Sequence, residues 1–241
     1  MKKKIAILGS TGSIGSTSLK IIEKNRNLFN IEILSANKNY KRICNQIIKF
    51  KPRYFIVTNN KIFLKIKKRF KKKKIKIFNN YNKINLPNKK IDITIAAIPG
   101  IVGLEPTIKF TQKSKKILLA NKESIICGWE IISKIAKKYK TQIIPIDSEH
   151  FSIMKLLENH KESEIEKIYI TASGGPFLNL SKARFKSIKP LDAIKHPKWS
   201  MGKKISVDSS TLMNKILELI EAQKMFPFEL KKYEILIHPQ S

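Results

Sequence analysis

The chain has 241 residues, of which 42% are hydrophobic and 28% charged, a balance typical of a globular protein with one large core or two smaller ones. Its 49 Lys and Arg against 18 Asp and Glu give a net charge of +31, which would suit an anionic partner such as nucleic acid. The basic residues are mostly Lys and are spread along the whole chain with Ile and Asn, so we interpret the charge as a compositional bias. Two cysteines exclude a disulfide framework and are typical of a cytoplasmic protein, and no apolar run is long enough to cross a membrane.

The first predicted elements are a strand, a glycine turn and a helix. An apolar run at residues 4–8 is followed by Gly9, Gly12 and Gly15 and then by a helical pattern. This order is typical of a dinucleotide site, because glycines let main-chain N–H groups approach a pyrophosphate at the helix N-terminus. The spacing is GxxGxxG rather than the commoner GxGxxG, so a purely structural turn is the alternative.

The second predicted strand, at residues 31–36, ends at Asn37, Lys38 and Asn39. An acidic residue at this position would bind the ribose hydroxyls of NAD, whereas a basic or amide residue suits the 2′-phosphate of NADP. The sequence therefore favours NADP, with the reservation that Lys is common throughout the chain.

Helices and strands continue to alternate up to residue 146. Further helices are predicted at 40–50, 61–70, 104–110 and 125–139, and further strands at 53–57, 75–78, 91–98, 116–120 and 143–146. This alternation predicts an α/β fold whose first domain is a Rossmann-like, doubly wound parallel sheet.

Two carboxylates, Asp147 and Glu149, follow the last of these strands. Residues two apart on an extended strand point the same way, so both side chains are expected to face one point. A cation there would offset their repulsion, and the carboxyl ends of strands are where α/β sheets bind ligands. The alternative is that Asp147 or Ser148 caps the next helix, and this stretch alone gives the two interpretations equal weight.

Beyond residue 157 the pattern changes. A strand predicted at 165–171 precedes Ser173 and two glycines, which could cradle an anion or simply form a turn. Residues 189–204 are predicted to be an irregular loop containing Trp199, of the kind that closes over active sites; a packed surface loop is the alternative.

A helix is predicted at 212–225 and a last strand at 233–237. On the helix, Asn214, Lys215 and Glu218 share one face, while Leu217, Ile220 and Met225 can form another, apolar face. The polar face could hold a phosphate and a metal, or it could be a salt-bridged surface in solvent.

Together these motifs resemble those of the 1-deoxy-D-xylulose 5-phosphate reductoisomerases, over the range 4–241. The resemblance is carried by GSTGSIG at 9–15, LLANKES at 118–124, PIDSEH at 145–150, SGGPF at 173–177, HPKWSMGKKISVDSSTLMNK at 196–215 and ILIHPQS at 235–241. Any one motif could arise by chance, but their joint order and spacing favour this family over others.

The resemblance implies an enzyme that uses NADPH and one divalent cation, Mg²⁺ or Mn²⁺. Its substrate would be the sugar phosphate 1-deoxy-D-xylulose 5-phosphate and its product 2-C-methyl-D-erythritol 4-phosphate, in the non-mevalonate route to isoprenoids. The metal would chelate the substrate ketone and hydroxyl, the carbon skeleton would rearrange by retro-aldol and aldol steps, and NADPH would deliver a hydride.

The resemblance also implies roles for individual residues. The metal ligands would be Asp147, Glu149 and Glu218, which leave coordination positions for two substrate oxygens. The reacting end of the substrate would contact Lys122, Ser148 and Glu149, and its phosphate or nearby oxygens would contact Ser173, Ser209, Asn214 and Lys215. His196 would close over the substrate, and Trp199 and Met201 would belong to the loop that covers the site. NADPH would contact Thr11, Gly12, Ser13, Ile14, Asn37, Lys38, Asn39, Asn121, Glu123 and Gly202.

At the level of domains, the resemblance implies NADPH binding by 1–146, metal and substrate binding by 147–241, and a homodimer for a complete chain. Family members continue past residue 241, so we expect this chain to be a fragment or truncated product with an incomplete α/β catalytic domain.

Two departures from the family pattern are Asn37 and Ile216, each in place of a usual Gly. Asn tolerates a left-handed backbone, whereas Ile216 could disturb the packing of the metal-binding helix.

Two other functions stand as hypotheses. Another NADP-dependent oxidoreductase, such as a semialdehyde dehydrogenase, would need a catalytic cysteine; Cys127 lies in a predicted helix with no histidine near it in sequence. A basic nucleic-acid-binding protein on a degenerate Rossmann fold would show steep salt-dependent retention on DNA and no NADPH binding. The oxidoreductase hypothesis also leaves the three carboxylates unexplained.

Overall fold

The computed structural model describes residues 1–84, 90–195 and 203–238. The chain divides into two compact units, Met1–Ile146 and Asp147–Ser241.

The first unit is built on a seven-stranded sheet. Its strands are β1 (Lys3–Leu8), β2 (Phe29–Ala36), β3 (Tyr54–Val57), β4 (Lys76–Phe78), β5 (Ile91–Ala96), β6 (Ser114–Leu119) and β7 (Gln142–Pro145). Their order is β4-β3-β2-β1-β5-β6-β7, and every neighbouring pair is parallel. The predicted Rossmann-like parallel sheet is confirmed.

In the part of this unit that the structure describes, five α-helices connect these strands: α1 (Ser13–Lys24), α2 (Tyr40–Phe50), α3 (Asn60–Arg69), α4 (Leu104–Lys113) and α5 (Lys122–Lys138). Three of them begin at an asparagine whose side chain accepts a main-chain N–H of the first turn, namely Asn39, Asn59 and Asn121. Asn is among the preferred residues at this position, because its side-chain oxygen satisfies a donor that the helix itself leaves unpaired.

The core of the first unit lies along the sheet. Ile7, Leu34, Phe55 and Ile117, from four different strands, are fully buried, as expected of parallel strands that are covered on both faces. The strand order reverses between β1 and β5, because the chain proceeds from β1 toward one edge and returns to β5 on the other side. Ligands of such sheets bind beyond the carboxyl ends of the strands at this reversal.

Among its described residues, the second unit contains a pair of parallel strands and four α-helices. These are β8 (Ile168–Ala172) and β9 (Tyr233–Ile237), with α6 (Ser148–Leu157), α7 (Pro190–Ala193), α8 (Lys203–Ser210) and α9 (Met213–Met225). A small core of Ile153, Ile168, Ile170, Ala222 and Tyr233 joins α6, α9, β8 and β9.

Two of these helices are absent from the sequence-based expectations. α7 lies inside the segment predicted to be an irregular loop, and α8 precedes the predicted helix at 212–225. The α8 sequence is rich in Ser, Val and Asp, which have low helix propensity, so contacts within the unit decide this conformation.

We expect Asn59→Ala to lower the free energy of unfolding by about 1 kcal/mol. The Asn59 Oδ1 atom accepts the Ile62 N–H at 3.1 Å, and alanine leaves that donor without its cap. Urea denaturation measures the difference. The control is Lys65→Ala, an exposed change on the same helix, for which we expect less than about 0.5 kcal/mol; equal losses for both variants would contradict the capping role.

Within the described residues, each helix is either too short or too polar to cross a membrane.

Candidate functional site

The glycine loop after β1 lies where the strand order reverses. Gly9 has φ +86°, and a Cβ atom there would lie 2.5 Å from the main-chain oxygen of Ala97, just beyond β5. Gly15 lets the first turn of α1 pack against the loop, since a Cβ atom there would lie 2.4 Å from the Gly9 carbonyl oxygen. Strand, turn and helix can approach this closely only because both residues are glycine.

The N-terminus of α1 is open to an anion. Gly12 precedes the helix, no side chain of the described chain caps it, and its first turn carries no acidic residue. Thr11 is partly exposed, and Ser13 and Ile14 are exposed. The free N–H groups and the helix dipole suit the pyrophosphate of a dinucleotide, so these residues fit such a cofactor.

A polar network supports the loop from the β2 side. The Gly9 N–H donates to Ser35 Oγ at 3.1 Å, the Ser10 N–H donates to the Ser35 carbonyl at 2.7 Å, and the Tyr81 hydroxyl donates to Ser35 Oγ at 2.9 Å. Burial raises the pKa of Tyr81 to about 12, although the Ser35 hydrogen bond lowers it and Glu105 raises it further; the hydroxyl therefore stays protonated at neutral pH. The sequence analysis did not predict this network. Its signal in the sequence is Ser35, a serine inside the apolar run of β2.

The segment after β2 is exposed at Asn37, Lys38 and Asn39. Asn39 caps α2 by accepting the Arg42 N–H at 3.1 Å. Asn37 has no left-handed backbone, since the positive-φ non-glycine residues in the described chain are Lys51, Lys140, Asn159 and Leu212. The departure from Gly at Asn37 therefore causes no strain of this kind.

Asn121 and Glu123 join the start of α5 to the segment after β5. The Asn121 carboxamide accepts the Ser124 N–H at 2.6 Å and donates to the carbonyls of Gly100, at 2.9 Å, and Ile98. Glu123 Oε2 accepts the Gly100 N–H at 3.3 Å. Asn121 and its neighbour Lys122 are both buried, so these side chains shape the edge of the site rather than project into solvent.

Three carboxylates converge in the second unit. Asp147, Glu149 and Glu218 each offer one oxygen, and these oxygens lie within 4.8 Å of one another. Glu218 is buried, with 2% of its surface exposed. Clustered carboxylate oxygens suit a hard divalent cation.

The expected origin of this convergence is wrong. β7 ends at Pro145, and Glu149 lies in α6 rather than on an extended strand. Asp147 is the N-cap of that helix and accepts the Glu149 N–H at 3.3 Å. Helix capping and a candidate metal site, posed as alternatives, are therefore compatible, because the cap residue Asp147 and Glu149 in the first helical turn both lie close to Glu218 on α9.

Lys215 lies among these carboxylates. Its Nζ atom is 2.8 Å from Glu149 Oε1 and 2.5 Å from Glu218 Oε2, and Asn214 Nδ2 donates to Glu218 Oε1. One ammonium lies among three converging carboxylates. Carboxylate oxygens are the ligands that hard divalent cations prefer, so the residues fit Mg²⁺ or Mn²⁺.

The polar face of α9 is its buried face. The residues of α9 buried most deeply are Lys215, Glu218, Glu221 and Ala222, whereas Leu217, Ile220 and Met225 are only partly buried. The alternative of a salt-bridged face in solvent is therefore wrong. Ile216 is 46% exposed, so it does not enter the buried face, and the expected disturbance of packing is not seen there.

His150 and Glu221, to which the sequence analysis gave no role, lie against the cluster. His150 is fully buried; its Nε2 donates to the Glu218 carbonyl at 2.9 Å, and its Nδ1 lies 3.6 Å from Asp147 Oδ1 and 3.5 Å from Glu221 Oε2. Burial lowers the pKa of His150, but the nearby carboxylates of Asp147 and Glu221 outweigh it, so the net pKa is raised. His150 thus fastens α6 to α9. The available signals were its place in PIDSEH and the position of Glu221 one turn after Glu218.

The Ser173 loop packs against the end of α8. Gly174 and Gly175 have φ values of +81° and +73°, and a Cβ atom at Gly175 would lie 2.4 Å from the Ser209 carbonyl oxygen. The Gly175 N–H donates to Ser173 Oγ at 3.3 Å. Two of the predicted phosphate ligands, Ser173 and Ser209, are thereby brought together. The loop residues His196, Trp199, Met201 and Gly202 lie outside the described residues.

A parallel sheet with a glycine loop at its reversal point, and a second unit with a cluster of cation-binding carboxylates, define a dinucleotide-binding α/β protein with a candidate metal centre. Comparison with known families identifies the family to which this protein belongs. Residues 5–128 match the sequence profile described as 1-deoxy-D-xylulose 5-phosphate reductoisomerase, and residues 143–226 match the C-terminal domain of that enzyme. The chain belongs to the 1-deoxy-D-xylulose 5-phosphate reductoisomerase family, as its motifs indicated.

Individual relatives agree. The 1-deoxy-D-xylulose 5-phosphate reductoisomerase of Pelagibacter ubique is 55% identical over 99% of this chain, and that of Clostridium novyi is 43% identical over 99% of it. The chain spans 62% and 63% of the lengths of these two relatives.

Solved structures agree as well. A crystal structure of DOX-P reductoisomerase in complex with NADPH, fosmidomycin and magnesium has a TM-score of 0.90 and 34% identity, covering 99% of this chain and 62% of that one. The enzyme from Zymomonas mobilis in complex with NADPH has a TM-score of 0.88 and 32% identity, covering 100% of this chain and 62% of that one.

Proposed function

We propose that this chain carries out, or forms part of an enzyme that carries out, the NADPH- and divalent-metal-dependent conversion of 1-deoxy-D-xylulose 5-phosphate to 2-C-methyl-D-erythritol 4-phosphate. The observation that carries the proposal is the convergence of Asp147, Glu149 and Glu218 within 4.8 Å, in a chain of this family. Related structures that contain NADPH and magnesium support both cofactors.

In this proposal, residues 1–146 bind NADPH. The open N-terminus of α1 receives the pyrophosphate, and Lys38, with Asn37 and Asn39, faces the 2′-phosphate, for which a cation and amides are suited. The remaining contacts come from Thr11, Gly12, Ser13, Ile14, Asn121, Glu123 and Gly202. When bound, NADPH supplies the hydride.

Residues 147–241 bind the metal and the substrate. Asp147, Glu149 and Glu218 hold Mg²⁺ or Mn²⁺, which as a Lewis acid polarises the substrate's carbonyl and hydroxyl oxygens. The Ser148 hydroxyl donates to Glu149 Oε2 at 2.6 Å and so orients that carboxylate. Lys215 carries a buried positive charge suited to a phosphate, and Ser173, Ser209 and Asn214 add uncharged polar groups.

The proposal also covers two further substrate contacts, the oligomeric state and the cellular compartment. Lys122 contacts the reacting end of the substrate, and His196 closes over it. The complete enzyme is a cytoplasmic homodimer; a reducing compartment suits the two free cysteines, of which Cys44 is buried and Cys127 exposed.

The test is NADPH oxidation by the purified chain on addition of 1-deoxy-D-xylulose 5-phosphate and Mn²⁺, with the product identified by mass spectrometry. We expect oxidation that requires both substrate and metal. Because the chain spans only part of its relatives' length, NADPH and Mn²⁺ titrations accompany the assay. If the chain bound NADPH and Mn²⁺ without turnover, it would contain the cofactor and metal sites but lack activity by itself. Binding of neither, with salt-dependent retention on DNA, would overturn the proposal.

A further inference from the structure

Two side chains of α2 contact the glycine loop. Gln46 is buried, and its Nε2 donates to the Ser10 carbonyl at 2.9 Å while its Oε1 accepts the Ser10 hydroxyl at 2.6 Å. Arg42 lies one helical turn earlier, on the same face of α2, and its Nη1 donates to the Thr11 carbonyl at 2.8 Å. Two consecutive carbonyls of the loop are therefore held by one helix.

The orientation of the Gln46 carboxamide follows from chemistry. A carbonyl oxygen can only accept a hydrogen bond, so the nitrogen of the carboxamide must face the Ser10 carbonyl, and its oxygen is left for the Ser10 hydroxyl. The main chain of Ser10 is held from the other side as well, because its N–H donates to the Ser35 carbonyl at 2.7 Å. Ser10 has no exposed surface, so it has little freedom to turn.

Holding these carbonyls also fixes the direction of the N–H groups. In a trans peptide the C=O and the following N–H point in opposite directions. With the Ser10 carbonyl turned toward α2, the Thr11 N–H points away from α2, and it has no hydrogen-bond partner among the described residues. The next N–H, of Gly12, is used within the turn, where it donates to the Gly9 carbonyl at 3.0 Å.

We propose that Gln46 and Arg42 are positioning residues of the NADPH site: they fix the peptide planes on either side of Thr11 so that its N–H faces the cofactor pyrophosphate. This inference rests on the proposed function, because it takes NADPH to be the ligand of the glycine loop. Neither side chain needs to touch the pyrophosphate for this role. Without them the loop would have to be ordered each time the cofactor binds, at a cost in affinity.

The test is the affinity of the full chain for NADPH, measured by fluorescence titration for Gln46→Leu and Arg42→Met. Each variant has a matched control on the same helix, Asn45→Leu for the amide and Lys41→Met for the positive charge; both control positions are exposed. We expect the Kd for NADPH to rise about ten-fold in each test variant, the equivalent of one or two lost hydrogen bonds, and to change less than about two-fold in the controls.

A second ligand separates positioning from general damage. Adenosine 2′-monophosphate carries the 2′-phosphate but no pyrophosphate, so calorimetry should show its affinity for Gln46→Leu unchanged. An equal loss for both ligands, or an unchanged NADPH affinity in the test variants, would overturn the inference. If Gln46→Leu fails to fold, the test is the Kd for NADPH of Arg42→Met compared with that of its control Lys41→Met, since both of these positions are exposed. A wild-type chain that does not bind NADPH would overturn the proposed function as well, so the two failures are distinguishable.

Discussion

Replacing Glu218 with Gln is expected to weaken the binding of Mn²⁺ and Mg²⁺ by at least about 100-fold, since loss of a group that merely orients a ligand already costs about 10–100-fold. The substitution keeps the shape of the side chain and removes one of three converging carboxylates. A carboxamide carries no net charge, so the negative charge that the site offers to the cation falls by one unit.

The fold of this variant is expected to persist. Lys215 keeps Glu149 as a partner at 2.8 Å, so no buried ammonium is left alone. Electron paramagnetic resonance of Mn²⁺ gives the free and bound metal directly, and circular dichroism reports the fold. The control is Glu229→Gln, which neutralises an exposed carboxylate that pairs with Lys231 outside the cluster. If Glu218→Gln bound Mn²⁺ as tightly as wild type, Glu218 would not be a metal ligand.

Gly9→Ala is expected to lower the free energy of unfolding by about 4 kcal/mol and to abolish measurable NADPH binding. Two costs add: about 1–3 kcal/mol for a left-handed backbone at a residue with Cβ, and about 1–3 kcal/mol for an overpacked position. The left-handed φ is +86°, and the Cβ atom would lie 2.5 Å from the Ala97 carbonyl oxygen. Because that neighbour is main chain just beyond β5, the carboxyl ends of β1 and β5 would have to separate.

Gly100→Ala is the matched control for Gly9→Ala. Gly100 has a similar φ of +79°, but a Cβ atom there would meet nothing within 4 Å, so only the backbone cost of about 1–3 kcal/mol applies. Urea denaturation of both variants separates the two costs, and NADPH titration follows the site. Equal destabilisation by both changes would show that the close approach of β1 and β5 does not require glycine at position 9.

The sequence by itself determined the local elements and the identity of several site residues. The order of strand, glycine turn and helix at 4–22 could be read from the sequence, because a strand and a helix differ in the period of their apolar residues. It indicated a dinucleotide loop, with a structural turn as the alternative. The face shared by Asn214, Lys215 and Glu218 also followed from helical spacing alone. The carboxylates were assigned as ligands through the family's motifs, which carry information that periodicity does not.

Only the tertiary structure decided which distant side chains meet. Gln46 and Ser10 are 36 residues apart in sequence, and His150 and Glu218 are 68 apart, so no local pattern could pair them. The same holds for Asp147 and Glu149, whose convergence with Glu218 comes from the start of one helix facing another. Local periodicity gives the direction of a side chain from its own element, whereas a site depends on how the elements pack.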